Sequence, residues 1–305
     1  MTSGAVIVTY SPQLNDLNIL ISNITASVKQ IVLVDNGSNN LNEIKQLLSH
    51  FKNAVLIPLG SNKGIGFAQN RGIEHLLKDK EIEGVVLFDH DSHPEADMIN
   101  ILSNECERMQ KEGIKIGAVG PVYVDPRTKN NYPISVFAGF RLIKKYPVQG
   151  NNDPISASFL IASGSLIPRS TIEAVGYMNE GFFIDYIDIE WSFRATSKGF
   201  HSYACPAAKM YHQVGDDRFV VLGREISIHT PLRRYYLARN SVLMLKIKYI
   251  SWKYKVREIC YSFSRVFVFL FFIKKRSMYM KYIIRGWYDG IIGKVGSAGF
   301  IEKAD

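Results

Sequence analysis

Two aspartates two residues apart, Asp89 and Asp91, close an apolar run at 85–88 and are followed closely by Pro94. Four apolar residues, two of them β-branched, read as a buried strand of a parallel sheet. Proline then prevents its continuation. Two carboxylates at the carboxyl end of such a strand can hold a divalent cation, and the cation can hold a diphosphate. An isolated Asp-x-Asp is common by chance, so its weight comes from the strand directly before it. His90 is assigned no role, and His93 reads as a surface or capping residue rather than a ligand.

A second acidic group, Asp185, Asp188 and Glu190, lies among Phe182, Phe183, Tyr186 and Trp191. Aromatic surroundings lower the local dielectric, which raises a carboxyl pKa and suits it to take a proton near neutral pH. Asp185 and Asp188, three apart, share a helix face. The plainer reading is helix N-terminal acids favoured by the dipole, but three acids beside this many aromatics exceed what capping needs.

Other candidates are weaker alone. Asp35 follows the apolar run 31–34 and could accept hydrogen bonds from a ribose or base, or form an Asx turn or helix cap with Ser38 nearby. Residues 62–72 superficially match a dinucleotide fingerprint. Gln69 stands where its third glycine should be, and the stretch follows the third strand rather than the first, so no Rossmann cofactor site is expected. Its glycines, Gly64 among them, still let backbone approach a ligand closely, with Asn70 and Arg71 on the helix that follows. A lone His212 reads as structural. Arg233, Arg234, Tyr235, Tyr236, Arg239 and Asn240 could clamp phosphates, or form a solvated basic helix face.

The elements that must position these residues alternate regularly. Apolar runs predict strands at 5–10, 31–34, 54–57, 85–88 and 116–121, with helical spacing between them. This rhythm implies a doubly wound α/β fold with a mostly parallel sheet flanked by helices. Asp35, 62–72, Asp89/Asp91 and 185–190 then fall at one sheet edge, and that convergence is a stronger signal than any single motif. Residues 123–153, rich in Pro, Gly and Asn, leave room for a hairpin. Further strands are expected at 158–162, 203–205 and 209–212, a short helix at 169–175, and a helix running to about Lys198.

The 305 residues leave ample room for a core, and 47% hydrophobic content argues against disorder. Three dispersed cysteines, Cys106, Cys205 and Cys260, give no zinc spacing and no disulfide framework, which fits a reducing cytosol. No signal peptide is expected from the N-terminal residues. Of the net charge of +9, residues 246–286 carry eleven Lys or Arg against one acid, Glu258, which leaves about −1 for the rest. The chain divides into a near-neutral body at 1–222 and a basic, aromatic, mainly helical extension at 223–305. Within that extension, the apolar run 266–273 is far short of the roughly 20 residues needed to span a bilayer. Trp252, Tyr254, Tyr261, Tyr279, Tyr282 and Trp287 interleaved with Lys and Arg suit a helix lying on an anionic membrane surface. The alternative is a helix packed on the body or on a second subunit. No nucleic-acid motif accompanies the patch, so nucleic acid is not expected as a partner.

In this order the motifs resemble family-2 inverting glycosyltransferases of the GT-A fold, and most closely the bacterial rhamnosyltransferases of O-antigen and other surface polysaccharides. The matching stretches are 8–10, 34–38, 62–64 with 68–72, 88–91, Gly164-Ser165, 183–191, 212–215 and 233–240. The resemblance implies a donor site drawing on Thr9, Tyr10, Asp35, Asn62, Gly64, Asn70, Arg71, Asp89, Gly164, Ser165, Arg233 and Arg234. It implies Mg2+ or Mn2+ on Asp89 and Asp91, with His212 as a further ligand, and Asp188 as catalytic base. Many relatives carry Glu-Asp where this chain has Ile187-Asp188, so Asp185 and Glu190 stand as supporting acids. The implied activity is transfer of L-rhamnose from dTDP-L-rhamnose to a lipid-linked glycan at the inner face of the bacterial inner membrane. A UDP-sugar or other donor on the same fold is one alternative, and a non-catalytic glycan- or nucleotide-binding module is another. The oligomeric state stays open, a dimer included.

Overall fold

The computed structural model describes residues 1–211, 218–221, 224–227, 229–272 and 276–299. The first half alternates β1 (Ser3–Thr9), α1 (Leu14–Ile24), β2 (Gln30–Asp35), α2 (Leu41–Leu48), β3 (Ala54–Pro58), α3 (Ile65–Leu76) and β4 (Gly84–Asp89). β5 (His93–Pro94), α4 (Met98–Lys111) and β6 (Ile116–Val124) follow, then a hairpin of β7 (Ile134–Ala138) and β8 (Arg141–Lys145). Next come β9 (Ile155–Ala157), β10 (Leu166–Pro168), α5 (Arg169–Val175), α6 (Ile187–Ser197) and β11 (His201–Tyr211). A small hairpin, β12 (Arg218–Val221) with β13 (Arg224–Ser227), leads to α7 (Pro231–Lys246), α8 (Trp252–Phe272) and α9 (Arg276–Ile292).

The main sheet runs β3-β2-β1-β4-β10-β6-β11-β5, with β9 also on β11. β1, β2, β3 and β4 are mutually parallel, as are β6 and β11. Their uninterrupted apolar sequences follow from burial on both faces. Alternate residues go to opposite sides: Val6, Val8, Val32, Val34, Val85 and Leu87 enter one core cluster, while Ala5, Ile7, Ile31, Leu33, Val86 and Phe88 enter the other. α1, α2 and α4 cover the second face, and α3 and α6 cover the first.

Two expectations shift. Residues 158–162 form no strand; the pairing lies on either side, in β9 and β10, and β10 runs antiparallel between β4 and β6. Backbone groups of the intervening stretch are satisfied by side chains instead, Ser165 Oγ donating to Ile161 O at 2.6 Å and Tyr123 Oη to Ser163 O at 2.6 Å. The strands expected at 203–205 and 209–212 are one strand, β11, with a register shift between Cys205 and Lys209 and an end at Tyr211.

The C-terminal helices are not a separate layer. Leu243, Met244, Ile250 and Tyr254 belong to the same apolar cluster as α3 and α6. No helix among the described residues is long and apolar enough to cross a membrane.

Candidate active site

Parallel register brings the candidate residues to one edge. Thr9 pairs with Asp35 and Val8 with Asp89, so β1, β2 and β4 end together. A cleft of about 1590 Å³ opens at this edge, its walls including Tyr10, Asn36, Asn62, Asp89, Asp91 and Asp188. Carboxyl strand ends are where open α/β sheets bind ligands.

Asp89 ends β4 with its amide donating to Ser163 Oγ at 3.1 Å, and Ser163 Oγ lies 2.5 Å from Ser92 Oγ. That bridge fixes the turn carrying Asp89 and Asp91. Burial pushes the Asp89 carboxyl up to about 6, and the Asp91 charge adds to the rise, while His90 and Arg233 oppose it. A desolvated carboxylate beside a second one is a site that gains from a bound cation. Both donors are hard oxygen ligands, which fits Mg2+ or Mn2+. Among the described residues no group of three or more His, Cys, Asp or Glu could hold a metal. A cation here would therefore complete its shell from the diphosphate and water. His212 lies outside the described residues.

Asp188 sits in the first turn of α6 and also faces the cleft. Burial pushes its carboxyl up to about 6, with Asp185 and Asp89 adding to the rise. The Ile189 amide, donating to Asp188 Oδ1 at 2.9 Å, works the other way. A half-buried carboxyl at this value is ionised at neutral pH yet basic enough to take a proton.

The loop that presents Asp188 is strained. Phe183, Asp185 and Tyr186 have φ of 65°, 61° and 65°, the left-handed region that non-glycine residues rarely adopt. α7 holds it there. Asn240 Nδ2 donates to Phe182 O, Ile184 O and Asp185 O at 3.0, 2.7 and 3.2 Å. Arg239 Nη2 donates to Phe182 O at 2.8 Å, and its Nε to Asn240 Oδ1 at 3.0 Å. Arg233 forks onto Asp185, Nη2 to Oδ1 at 3.0 Å and Nε to Oδ2 at 3.2 Å. Tyr186 Oη bonds to the buried Glu258 of α8. Gly64 closes the other side: the Ile65 amide donates to Phe183 O at 2.8 Å. A Cβ on Gly64, at φ +91°, would stand 2.7 Å from that same oxygen.

The remaining candidates separate into wall and support. Asn62 lines the cleft and is braced by Asn36, whose Nδ2 donates to Asn62 Oδ1 at 3.0 Å. Thr9 and Asp35 are buried behind the wall: Thr9 Oγ1 donates to Asp35 Oδ1 at 3.1 Å, and Asp35 Oδ2 accepts from Gly37 and Ser38 amides at 3.2 and 3.0 Å. The turn-forming reading of Asp35 is thus realised. Asn70 ties α3 to Met178 O (3.0 Å) and Glu180 (2.7 Å), and Arg71 pairs with Glu74 at 2.9 Å. Gly164 and Ser165 sit behind β4, Gly164 N donating to Leu87 O at 2.6 Å. Arg234 is buried with its guanidinium 4.5 Å from the Phe269 ring centroid, where burial lowers its pKa to about 10. Glu190 is not an acid of the cleft. It is buried against Arg194 at 2.9 Å and accepts from Tyr249. Two positions apart on a helix is a turn of roughly 200°, so Asp188 and Glu190 face opposite ways. Arg239 and Asn240, grouped with the phosphate clamps in sequence, are fully buried and bind loop carbonyls instead.

Gln69 was legible only as a missing glycine. It is buried, lines the cleft, and its Oε1 has no hydrogen-bond partner. A buried acceptor left open in this way carries a desolvation cost that a ligand donor would remove.

A mostly parallel α/β sheet whose carboxyl edge gathers Asp89, Asp91 and Asp188 at one cleft has the architecture of the GT-A fold. The chain belongs to the family described as glycosyl transferase family 2, whose model matches residues 5–176. It is 36% identical over 296 residues to the dTDP-rhamnosyl transferase RfbF of Shigella flexneri, covering 97% of each chain. Solved structures confirm the fold. S. aureus TarS 1-349 in complex with UDP-GlcNAc superposes with a TM-score of 0.58 at 12% identity, over 95% of this chain and 81% of that one. The mannosyltransferase PcManGT of Pyrobaculum calidifontis, with GDP-Man and Mn2+, gives 0.54 at 13%, over 95% and 86%.

Proposed function

We propose that this glycosyltransferase moves L-rhamnose from dTDP-L-rhamnose, with inversion, to a hydroxyl of a lipid-linked glycan in bacterial surface polysaccharide synthesis. The observation that carries the chemistry is that Asp188, with its raised pKa, faces the same cleft as Asp89 and Asp91. The donor sugar rests on the 36%-identical relative, named for dTDP-rhamnosyl transfer.

Asp188 takes the proton of the acceptor hydroxyl. The oxygen forms its bond to the anomeric carbon as the bond from that carbon to the diphosphate oxygen breaks, and the nucleoside diphosphate leaves. Asp89 and Asp91 are the residues that would hold Mg2+ or Mn2+, which when bound would offset the negative charge of the leaving group. Tyr10, Asn62 and the open Gln69 Oε1 bind and orient the nucleotide-sugar. Asp185 takes no proton; it anchors Arg233 and keeps the 183–186 loop in register with Asp188. Residues 1–222 supply the donor side and 223–305 complete the site.

The same extension would seat the enzyme on the cytoplasmic leaflet. Trp252, Phe263 and Phe271 on α8 are 62%, 63% and 67% exposed, amid the basic residues of 246–286. Replacing Phe263 and Phe271 by serine should release the protein from anionic liposomes, and unchanged sedimentation would refute the seating. The donor is tested by product analysis with dTDP-L-rhamnose, UDP-glucose and UDP-GlcNAc. Turnover with a UDP-sugar alone would sink the rhamnose assignment and leave the fold-level mechanism standing.

A further inference from the structure

α8 has two unlike long faces. Trp252, Val256, Ile259, Phe263 and Phe267 are exposed on one. Tyr254, Arg257, Glu258, Tyr261 and Arg265 follow at spacings of three and four and line the cleft. The cleft thus has an acidic wall at the sheet edge and a wall on α8 with two arginines.

The α8 wall is built rather than incidental. Arg257 lies over the Phe137 and Tyr261 rings, 5.3 and 4.7 Å from their centroids, and Arg265 lies 5.1 Å from the Tyr261 centroid. Ring faces hold the guanidinium planes; Arg265 Nη1 donates to Tyr186 Oη at 3.2 Å, and its other N–H groups and those of Arg257 can turn to a ligand. Glu258 is the acid that faces them, with Arg265 Nη1 at 3.6 Å and Arg257 Nη1 at 3.9 Å. Its carboxylate also accepts from Tyr186 Oη. Two guanidinium groups share one carboxylate, so one unit of positive charge is uncompensated on this wall. Phe137 and Phe159 beside it, with centroids 5.8 Å apart and planes tilted by 34°, add an aromatic surface.

We infer that the inner face of α8, with Phe137 and Phe159, is the acceptor subsite, and that Arg257 and Arg265 take the phosphate oxygens of a prenyl-diphosphate-linked glycan. This rests on the glycosyltransferase reading and names the substrate class at the far side of its cleft. Rings offer faces to sugar C–H groups, and the arginine pair matches a phosphate bidentately. The outer face of the same helix carries the exposed apolar residues, so the lipid end and the diphosphate end of one acceptor meet one helix.

Calorimetry on the full chain tests this, with geranyl diphosphate as the probe, and geraniol and inorganic pyrophosphate as controls. Titrations are run with chelator, and again with dTDP and Mn2+ present. Geranyl diphosphate should bind in both, geraniol and pyrophosphate at least tenfold more weakly. Arg257→Ala should weaken geranyl diphosphate at least fivefold while leaving dTDP affinity within twofold. Arg265→Lys, which keeps the charge beside Glu258, should weaken it less than Arg257→Ala. Equal binding by wild type and Arg257→Ala would overturn the subsite. So would an equal loss of dTDP affinity, which would assign the arginine to the donor. Pyrophosphate binding as tight and as arginine-dependent as the prenyl compound would overturn the lipid-linked ligand. Failure of dTDP to bind wild type would instead refute the donor reading, and the arginine dependence of the prenyl probe would still decide the subsite.

Discussion

Asp188→Asn should raise stability while abolishing transfer. Burial holds the Asp188 carboxyl at about 6 in the folded chain, against 3.8 for the free group. The folded state therefore binds more protons than the unfolded chain between these values, and wild-type stability falls as pH rises through them. Two pKa units correspond to about 3 kcal/mol, fully expressed at pH 8 and lost below about pH 3. Asparagine matches the shape, and its Oδ1 keeps the 2.9 Å bond from the Ile189 amide. The variant should then be about 1–3 kcal/mol more stable at pH 8, or several degrees in Tm, measured in chelator so that metal binding does not enter. At about pH 3 the two proteins should melt together. Transfer at pH 8 should drop by about a thousandfold or more, since a group acting in proton transfer contributes on the order of 10²–10⁴. A variant that melts no higher than wild type at pH 8 would show that Asp188 is not held ionised against burial. Retained transfer would remove it from the base role.

Other outcomes follow from the same site. The wild-type transfer rate should fall below about pH 6 as Asp188 is protonated, with a steeper fall where Asp89 protonates too, read from a pH–rate profile. Asn240→Ala removes the side-chain donor to Ile184 O and Asp185 O and one of the donors to Phe182 O; it should cost about 2–4 kcal/mol in urea unfolding and lower kcat more than KM for the donor. Gly64→Ala places a Cβ against backbone oxygen at positive φ and should destabilise by about 2 kcal/mol, where an unchanged midpoint would contradict the close approach. Asp91→Asn should weaken dTDP binding in Mn2+ but leave the weak binding in chelator unchanged.

The sequence revealed most where burial is two-sided. Runs such as 31–34 and 85–88 sit between two helical layers, so their composition alone marked the strands, and the acids after them marked the edge. It revealed least where a residue works against its type. Nothing in Phe183, Asp185 or Tyr186 announces a left-handed backbone, because α7 imposes that conformation from more than 50 residues away. Arg239 looked like a surface cation, although Tyr235, Tyr236, Ala238 and Leu243 around it already hinted at a helix buried nearly all round. β10 is three residues long, too short for any pattern, and its antiparallel insertion between β4 and β6 is a matter of topology.

The grip of α7 and α8 on the 182–186 loop also orders events in time. Asn240 to Phe182 spans 58 residues of chain and Tyr186 to Glu258 spans 72. The strands carrying Asp35 and Asp89 are made and paired from the first 90 residues. Contacts of long sequence separation close late, and domains are synthesised from the N-terminus. The growing chain therefore pairs the strands that end at Asp35 and Asp89 before it can set the loop that presents Asp188. Pulse-labelled hydrogen exchange during refolding should show β1, β2 and β4 amides protected ahead of the Ile184 and Ile65 amides, which donate to Phe182 O and Phe183 O, and simultaneous protection would contradict this order.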